Sequence, residues 1–340
     1  MSPPPPASLA LSTDAADIDL LSPVAIEAKE ARLGRQAFLA VILASVCIGF
    51  SAIFVRLADV GPAAIGFWRL VFALGPTLIW AYAEQRTLRA TRAAGGITGP
   101  VRLFTGRQFA LSVLAGLFFA ADLIAFHVGL FHTTTANALL LGNLAVVFVL
   151  VFGWICLGER PTRGLIAALV LALAGTALII SRSAGVAVDD AASVFGDTLC
   201  IVAAGCYAGF MLVTRILRRG GEHVATALGG GMVSLIASAS GAVFCLAWAL
   251  AAGEVILPHS QQGLLAVIGL GLVAHATGQG LTTFALGRLP AGLISVVLLL
   301  QIVVGTTLAA LLFGEIPSLM VILGGLLVVA GVLAARPRRV

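Results

Sequence analysis

The chain has 340 residues, 60% hydrophobic and only 10% charged, with a mean hydropathy of +1.10 and a net charge of +5. A soluble domain carries about 25% charged residues, so a soluble fold this apolar could not cover its own surface, and the composition excludes one. Nineteen of the twenty basic residues are arginine and one is Lys29. They cluster on no polar domain, which excludes a nucleic-acid binder.

Residues 1–35 contain the proline run Pro3–Pro6 and the acids Asp14, Asp17, Asp19 and Glu27. No basic stretch precedes an apolar core, so this is not a signal peptide, and it reads as a disordered cytoplasmic tail. Ten apolar runs follow, at 36–56, 63–83, 108–131, 133–157, 163–181, 197–215, 223–252, 261–287, 289–313 and 317–335. A spanning helix needs about 20 mostly apolar residues, and lipid requires backbone groups to pair within the segment. The fold class expected is an all-α integral membrane protein with ten transmembrane helices.

Cytoplasmic loops carry excess Lys and Arg. With the N-terminus inside, seventeen basic residues fall in inside segments, Arg56 and Arg182 fall outside, and Arg69 lies within a helix. Both termini are therefore expected in the cytoplasm, and the setting expected is a bacterial plasma (inner) membrane. Five cysteines lie in or beside apolar runs, with no C-x-x-C and no His/Cys cluster. Neither a metal site nor a disulfide framework is indicated, and no cofactor motif occurs.

The sequence repeats. Gly158-Glu159-Arg160-Pro161 follows the fourth run and Gly314-Glu315-Ile316-Pro317 follows the ninth. That spacing is kept by Gly175 and Gly331 in the next runs. With five helices per half, 36–182 and 193–336, the second half inserts the opposite way up, as in many secondary transporters. The motif has a local reading: Gly ends one helix, Pro opens the next, and the carboxylate sits near that helix's positive end. Glu159 and Glu315 are accordingly read as structural hairpin caps.

Gly66-Phe67-Trp68-Arg69, Thr133-Thr134-Thr135-Ala136-Asn137-Ala138, Leu157-Gly158-Glu159-Arg160-Pro161, Gly196-Asp197 and Phe313-Gly314-Glu315 together resemble the EamA family of the drug/metabolite transporter superfamily. The resemblance covers residues 36–336 and implies ten helices, two inverted repeats and a central solute pathway. It names no substrate, since members move amino acids, other metabolites and drugs. Relatives often carry proline midway along the fourth and ninth helices, where this chain has Val146 and Ile302, and glutamate where it has Gln301. The resemblance therefore predicts neither a kink nor a carboxylate there.

Ionisable residues inside a membrane are costly and face a cavity or a partner. At 1.5 Å per residue, Arg69 lies about 9 Å and Asp122 about 12 Å below the outer surface, which predicts an ion pair on consecutive helices. His275 falls near the midplane, with Gln279 one turn on; Gln301 and Asn143 reach similar depth from other helices. The candidate solute or ion pathway is Arg69, Asp122, Asn143, His275, Gln279 and Gln301; the alternative is structural, with the Arg69–Asp122 pair locking two helices together and the amides joining helices by hydrogen bonds. Ser234, Ser238 and the glycines of the seventh and tenth helices read as close packing; whether they also form a homodimer face is left open. The partners expected are the bilayer and a small-molecule solute. His275 or Asp122 could supply a proton-coupled step. No phosphate-binding loop occurs, which disfavours ATP-driven pumping. The function expected is a secondary transporter; the alternatives are an intramembrane enzyme, which lacks any H-E-x-x-H or G-x-S-x-G, and a receptor or scaffold.

Overall fold

The computed structural model describes residues 23–94, 104–133, 135–180, 190–219, 228–313 and 319–335, and among these there is no strand. The helices are α1 (Pro23–Gly49), α2 (Ser51–Leu57), α3 (Pro62–Ala94), α4 (Gly106–His132), α5 (Thr135–Gly142), α6 (Ala145–Leu157), α7 (Arg163–Ile180), α8 (Asp190–Arg219), α9 (Gly230–Ala251), α10 (Gln261–Gly269), a π-helical segment (Leu270–Gln279), α11 (Gly280–Leu286), α12 (Ala291–Leu298), α13 (Leu300–Phe313) and α14 (Leu319–Ala334).

Eight helical stretches are long and apolar enough to cross a membrane, and two shorter apolar helices, Arg163–Ile179 and Leu319–Ala334, accompany them. The two short ones are the fifth and tenth predicted spans. Large apolar side chains such as Ile79, Ile155 and Val243 point outward. In lipid that outer surface is the solvated one, because hydrocarbon replaces water as the solvent.

Three sequence expectations shift. Helix α1 begins at Pro23, inside the stretch 1–35 expected to be a disordered tail. The stretch Glu27-Ala28-Lys29-Glu30-Ala31-Arg32 consists of strong helix formers and extends the apolar helix backward. The first span breaks at Phe50, dividing α1 from α2. The fourth and ninth spans, for which no kink was predicted, are both broken. The amide of Val146 bonds to the Asn143 carbonyl and that of Ile302 to the Leu299 carbonyl, three residues back instead of four. These two bonds stand 156 positions apart (302 − 146 and 299 − 143), the spacing of the glycine–glutamate motif. Tightened three-residue bonds interrupt both helices without proline.

The core is built on close helix contacts. α4 packs on α8 and α9, α3 on α9 and the π segment, and α7 on α14. Glycines set the approach of the last pair: a Cβ on Gly175 would meet Val328 N at 2.8 Å and also the Gly324 carbonyl oxygen. We expect Gly175→Leu to cost about 1–3 kcal/mol or more, because backbone cannot yield as a side chain can. Gly205→Ala, which meets nothing within 4 Å, should be neutral or stabilising by up to about 1 kcal/mol. Unfolding temperatures of the two purified variants in detergent check the contrast.

Candidate functional site

α3, α4, α8, α9, the π segment and α11 enclose a small cavity. Its walls are Leu70 and Thr77 from α3, Phe119 from α4, Phe210 from α8, Val233, Ser234, Ala237 and Ser238 from α9, His275 and Gln279 from the π segment, and Gly280 and Thr283 from α11. Its volume is about 20 Å³, room for about one water. Pro76 lies within α3 beside this wall, and the Thr77 hydroxyl donates to the Ala73 carbonyl at 2.8 Å.

The π segment carries the polar groups. Gly271 and Gly278 let this wide helix lie against α3 and α1: a Cβ there would meet Phe72 Cβ at 2.5 Å and Ile48 Cγ1 at 2.6 Å. π-helical turns are rare and frequent at functional sites. His275 is buried, with Nε2 3.0 Å from Ser238 Oγ. Its ring tilts against Phe119 at 5.1 Å. Three buried atoms of the walls have no hydrogen-bond partner: His275 Nδ1, Gln279 Oε1 and Ser234 Oγ. The Tyr207 side chain stands next to Gln279 and packs on Phe119 and Phe210.

Arg69 is buried with its guanidinium over the Phe119 ring, 5.4 Å from the centroid, and its Nε has no partner. The expected ion pair with Asp122 does not close. Among the described residues the salt bridge within 4.0 Å is that of Arg215 with Glu159. The reason lies one turn away: Phe119 precedes Asp122 by three residues on α4 and holds the guanidinium on its own face. Asp122, half-buried, lies within electrostatic reach of Arg69, Cys206 and Tyr207.

The structure thus gathers His275 and Gln279 at the cavity and sets Arg69 against its Phe119 wall; Asp122 is not a wall residue. Asn143 and Gln301 do not join them. Asn143 sits in the break between α5 and α6 and turns its amide back to the Leu139 carbonyl at 2.6 Å. Gln301 lies just past the equivalent break, and neither residue lines the cavity. Equal depth was the whole argument for them, and depth does not fix which face of a helix a side chain occupies.

Both ends of the α3–α9 pair are tied by carboxylates. Glu84, in the second half of α3, accepts from the first amides of α9, Gly230 at 3.0 Å and Gly231 at 2.9 Å. Glu254, just past the end of α9, accepts from the first amides of α3, Ala63 at 2.9 Å and Ala64 at 3.0 Å. Helix N-termini favour negative charge, and here each helix supplies the other's. Sequence reading missed both. The signal was there: α9 opens Gly229-Gly230-Gly231, with no Ser, Thr, Asp or Asn to cap it, so the cap had to come from elsewhere.

Glu159 is a cap, but not of its own hairpin. Gly158 ends α6 in the left-handed region at φ 67°, as the motif predicts. The first turn of α7 is then served by Thr162, whose hydroxyl accepts from the Leu165 amide at 3.2 Å. The Glu159 carboxylate is left to reach the far half, where it accepts from the Ala291 amide opening α12 at 2.9 Å and from Arg215 Nε at 2.8 Å. Arg215 Nη1 donates to the Leu286 carbonyl at 2.6 Å. Glu315 lies outside the described residues.

At the opposite end Trp68 Nε1 donates to the Ile256 carbonyl at 2.7 Å. Thr133 donates to Asp197 at 2.5 Å. Asp59, in the link between α2 and α3, accepts from the amides of His259 and Ser260 at 3.2 and 2.8 Å, at the start of α10. The Ser260 side chain, and then these amides, hold Asp59 below the usual carboxylate range. A lowered folded-state pKa adds stability above the unfolded value, and that stability is lost as pH falls through the folded one. The stability gap between the wild type and Asp59→Asn should therefore close as pH drops below about 4, read as unfolding temperature in detergent.

Apolar helices of membrane-spanning length, packed around a small buried chamber, define an integral membrane protein. The chain matches the EamA-like transporter family over residues 35–181 and 194–336, and it belongs to that family, as its resemblance implied. Those two matches are the two repeats. No curated protein matches the chain. A solved structure, described only as a crystal structure of a protein, superposes with a TM-score of 0.71 at 18% identity, covering 88% of this chain and 96% of that one. That likeness concerns the fold.

Proposed function

We propose that the protein is a secondary transporter that carries a small metabolite, an amino acid or a similar solute, across a bacterial inner membrane by alternating access. The eight long and two short apolar helices then make ten spans, in two five-helix halves of opposite orientation, with both termini in the cytoplasm. The observation that carries this reading is the chamber itself: it is buried, walled by side chains from both repeats, and sets a few polar groups, His275, Gln279 and Ser234 among them, in a mainly apolar lining. Repeat-built transporters place their solute site at that junction, beside interrupted helices. With room for a single water, the chamber has to widen for a solute to pass, as opening toward either face in turn would make it do. The reciprocal carboxylate caps at the two ends of α3 and α9 support it, since a rocking half must release such ties in turn.

The test is reconstitution. Purified protein in liposomes should move members of a broad solute panel (amino acids, organic acids, amines and sugars) without altering them chemically. Chemical conversion of a solute, or no flux across the whole panel by correctly inserted protein, would overturn the reading. Labelling single cysteines from each side tests the orientation: a probe at Ala93 should react only from the cytoplasmic face.

A further inference from the structure

The chemical class of the solute can be taken further, resting on the reading of the chamber as the solute path. Arg69 is 7% exposed, its Nε has no hydrogen-bond partner, and among the described residues no carboxylate oxygen lies within 4.0 Å of its nitrogens. A guanidinium taken out of water needs an anion and acceptors for its five donors. The Phe119 face offers a cation–π contact but accepts no hydrogen bond. Asp122 acts on it from beyond contact distance. Buried polar atoms without partners are few in native proteins and each requires a cause. Here three more of them, His275 Nδ1, Gln279 Oε1 and Ser234 Oγ, belong to the walls of the adjoining chamber. One water fits there, which serves a neutral group but not a planar cation. Arg69 and His275 both pack on the Phe119 ring, at 5.4 and 5.1 Å from its centre, and Phe119 is itself a wall of the chamber, so the orphaned cation stands one ring away from the orphaned neutral groups.

We propose that the transported solute carries a carboxylate or a comparable planar oxyanion, which pairs with Arg69. The guanidinium fork matches two carboxylate oxygens in a way an ammonium cannot. Gln279, His275 and Ser234 take the solute's remaining polar groups, and its apolar part lies against Phe119 and Phe210. A cationic or uncharged solute would leave Arg69 unmet and is selected against by that cost.

Matched pairs differing only in the carboxylate decide the matter. Alanine, valine, leucine and phenylalanine are each compared with the corresponding α-amide, and butyrate with butyramide. Each probe is titrated against the melting temperature of the purified protein and offered for uptake into proteoliposomes. The expected result is that one or more acids stabilise the protein and are moved, while the matching amides are weaker by about thirtyfold or more. In Arg69→Gln that ratio falls toward one; Arg69→Lys keeps part of it. Should Arg69→Gln fail to fold, the wild-type ratios decide alone. Amides bound as well as acids, or no acid bound, overturn the proposal. Amides that are moved as well as acids leave transport standing and remove the anion requirement. If neither form of any probe moves, the proposal falls, and transport is then judged on the broad panel.

Discussion

Glu159→Ala is expected to lower the unfolding free energy by about 3–5 kcal/mol, the usual consequence of removing one partner of a buried ion pair. The Arg215 and Glu159 side chains are only 9% and 11% exposed, so little solvent reaches the charge left behind. The same substitution strips the cap from α12, where the carboxylate accepts from Ala291, and a lost cap adds about 1 kcal/mol. Arg215 would keep its bond to the Leu286 carbonyl but no counter-charge. Combining Glu159→Gln with Arg215→Met should recover part of the loss, because an apolar pair carries no desolvation cost. Chemical unfolding in detergent gives the numbers. A loss below about 1 kcal/mol would show the pair behaving as an exposed one.

Transport should separate the four midplane candidates. His275→Ala and Gln279→Ala are expected to lower flux about tenfold or more at equal protein amounts, and Asn143→Ala and Gln301→Ala to stay near wild type. His275→Ala leaves the Ser238 hydroxyl without its partner in a buried wall, a cost of about 1–3 kcal/mol. It also opens a gap against Phe119. Asn143, in the break after α5, donates back to the Leu139 carbonyl of α5 and does not line the chamber. Initial uptake rates in proteoliposomes decide it. Equal losses in all four would place the solute path along the broken helices.

How much of this could be read beforehand follows from what each signal measures. Hydropathy and the arginine distribution report solvent, so the helices emerged readily. The two short helices α7 and α14 were counted like the rest, because apolarity does not depend on reaching full length. The repeat was legible at Gly158 and Glu159, yet the partner of Glu159 was not: a local motif says a cap is present, and only the fold says whose. Depth brought His275, Gln279, Asn143 and Gln301 forward together, and since depth carries no angle it could not tell that the first two line the chamber and the last two do not. Ser238 read as a packing residue because small residues near a glycine run serve packing more often than chemistry. The breaks at Asn143 and Leu299 had no proline to announce them.

The exchange of carboxylates between α3 and α9 bears on how the chain is made. The amides of Ala63 and Ala64 wait for Glu254, 191 and 190 residues later in the chain. At about 5–20 residues per second of synthesis, that interval is roughly 10–40 s. During it the start of α3 sits in the membrane with its cap not yet translated. Glu84 is held back likewise until Gly230 and Gly231 arrive, 146 and 147 residues on. The first half emerges from the ribosome as an unfinished surface, and its stability during biogenesis depends on a second half that has yet to be inserted.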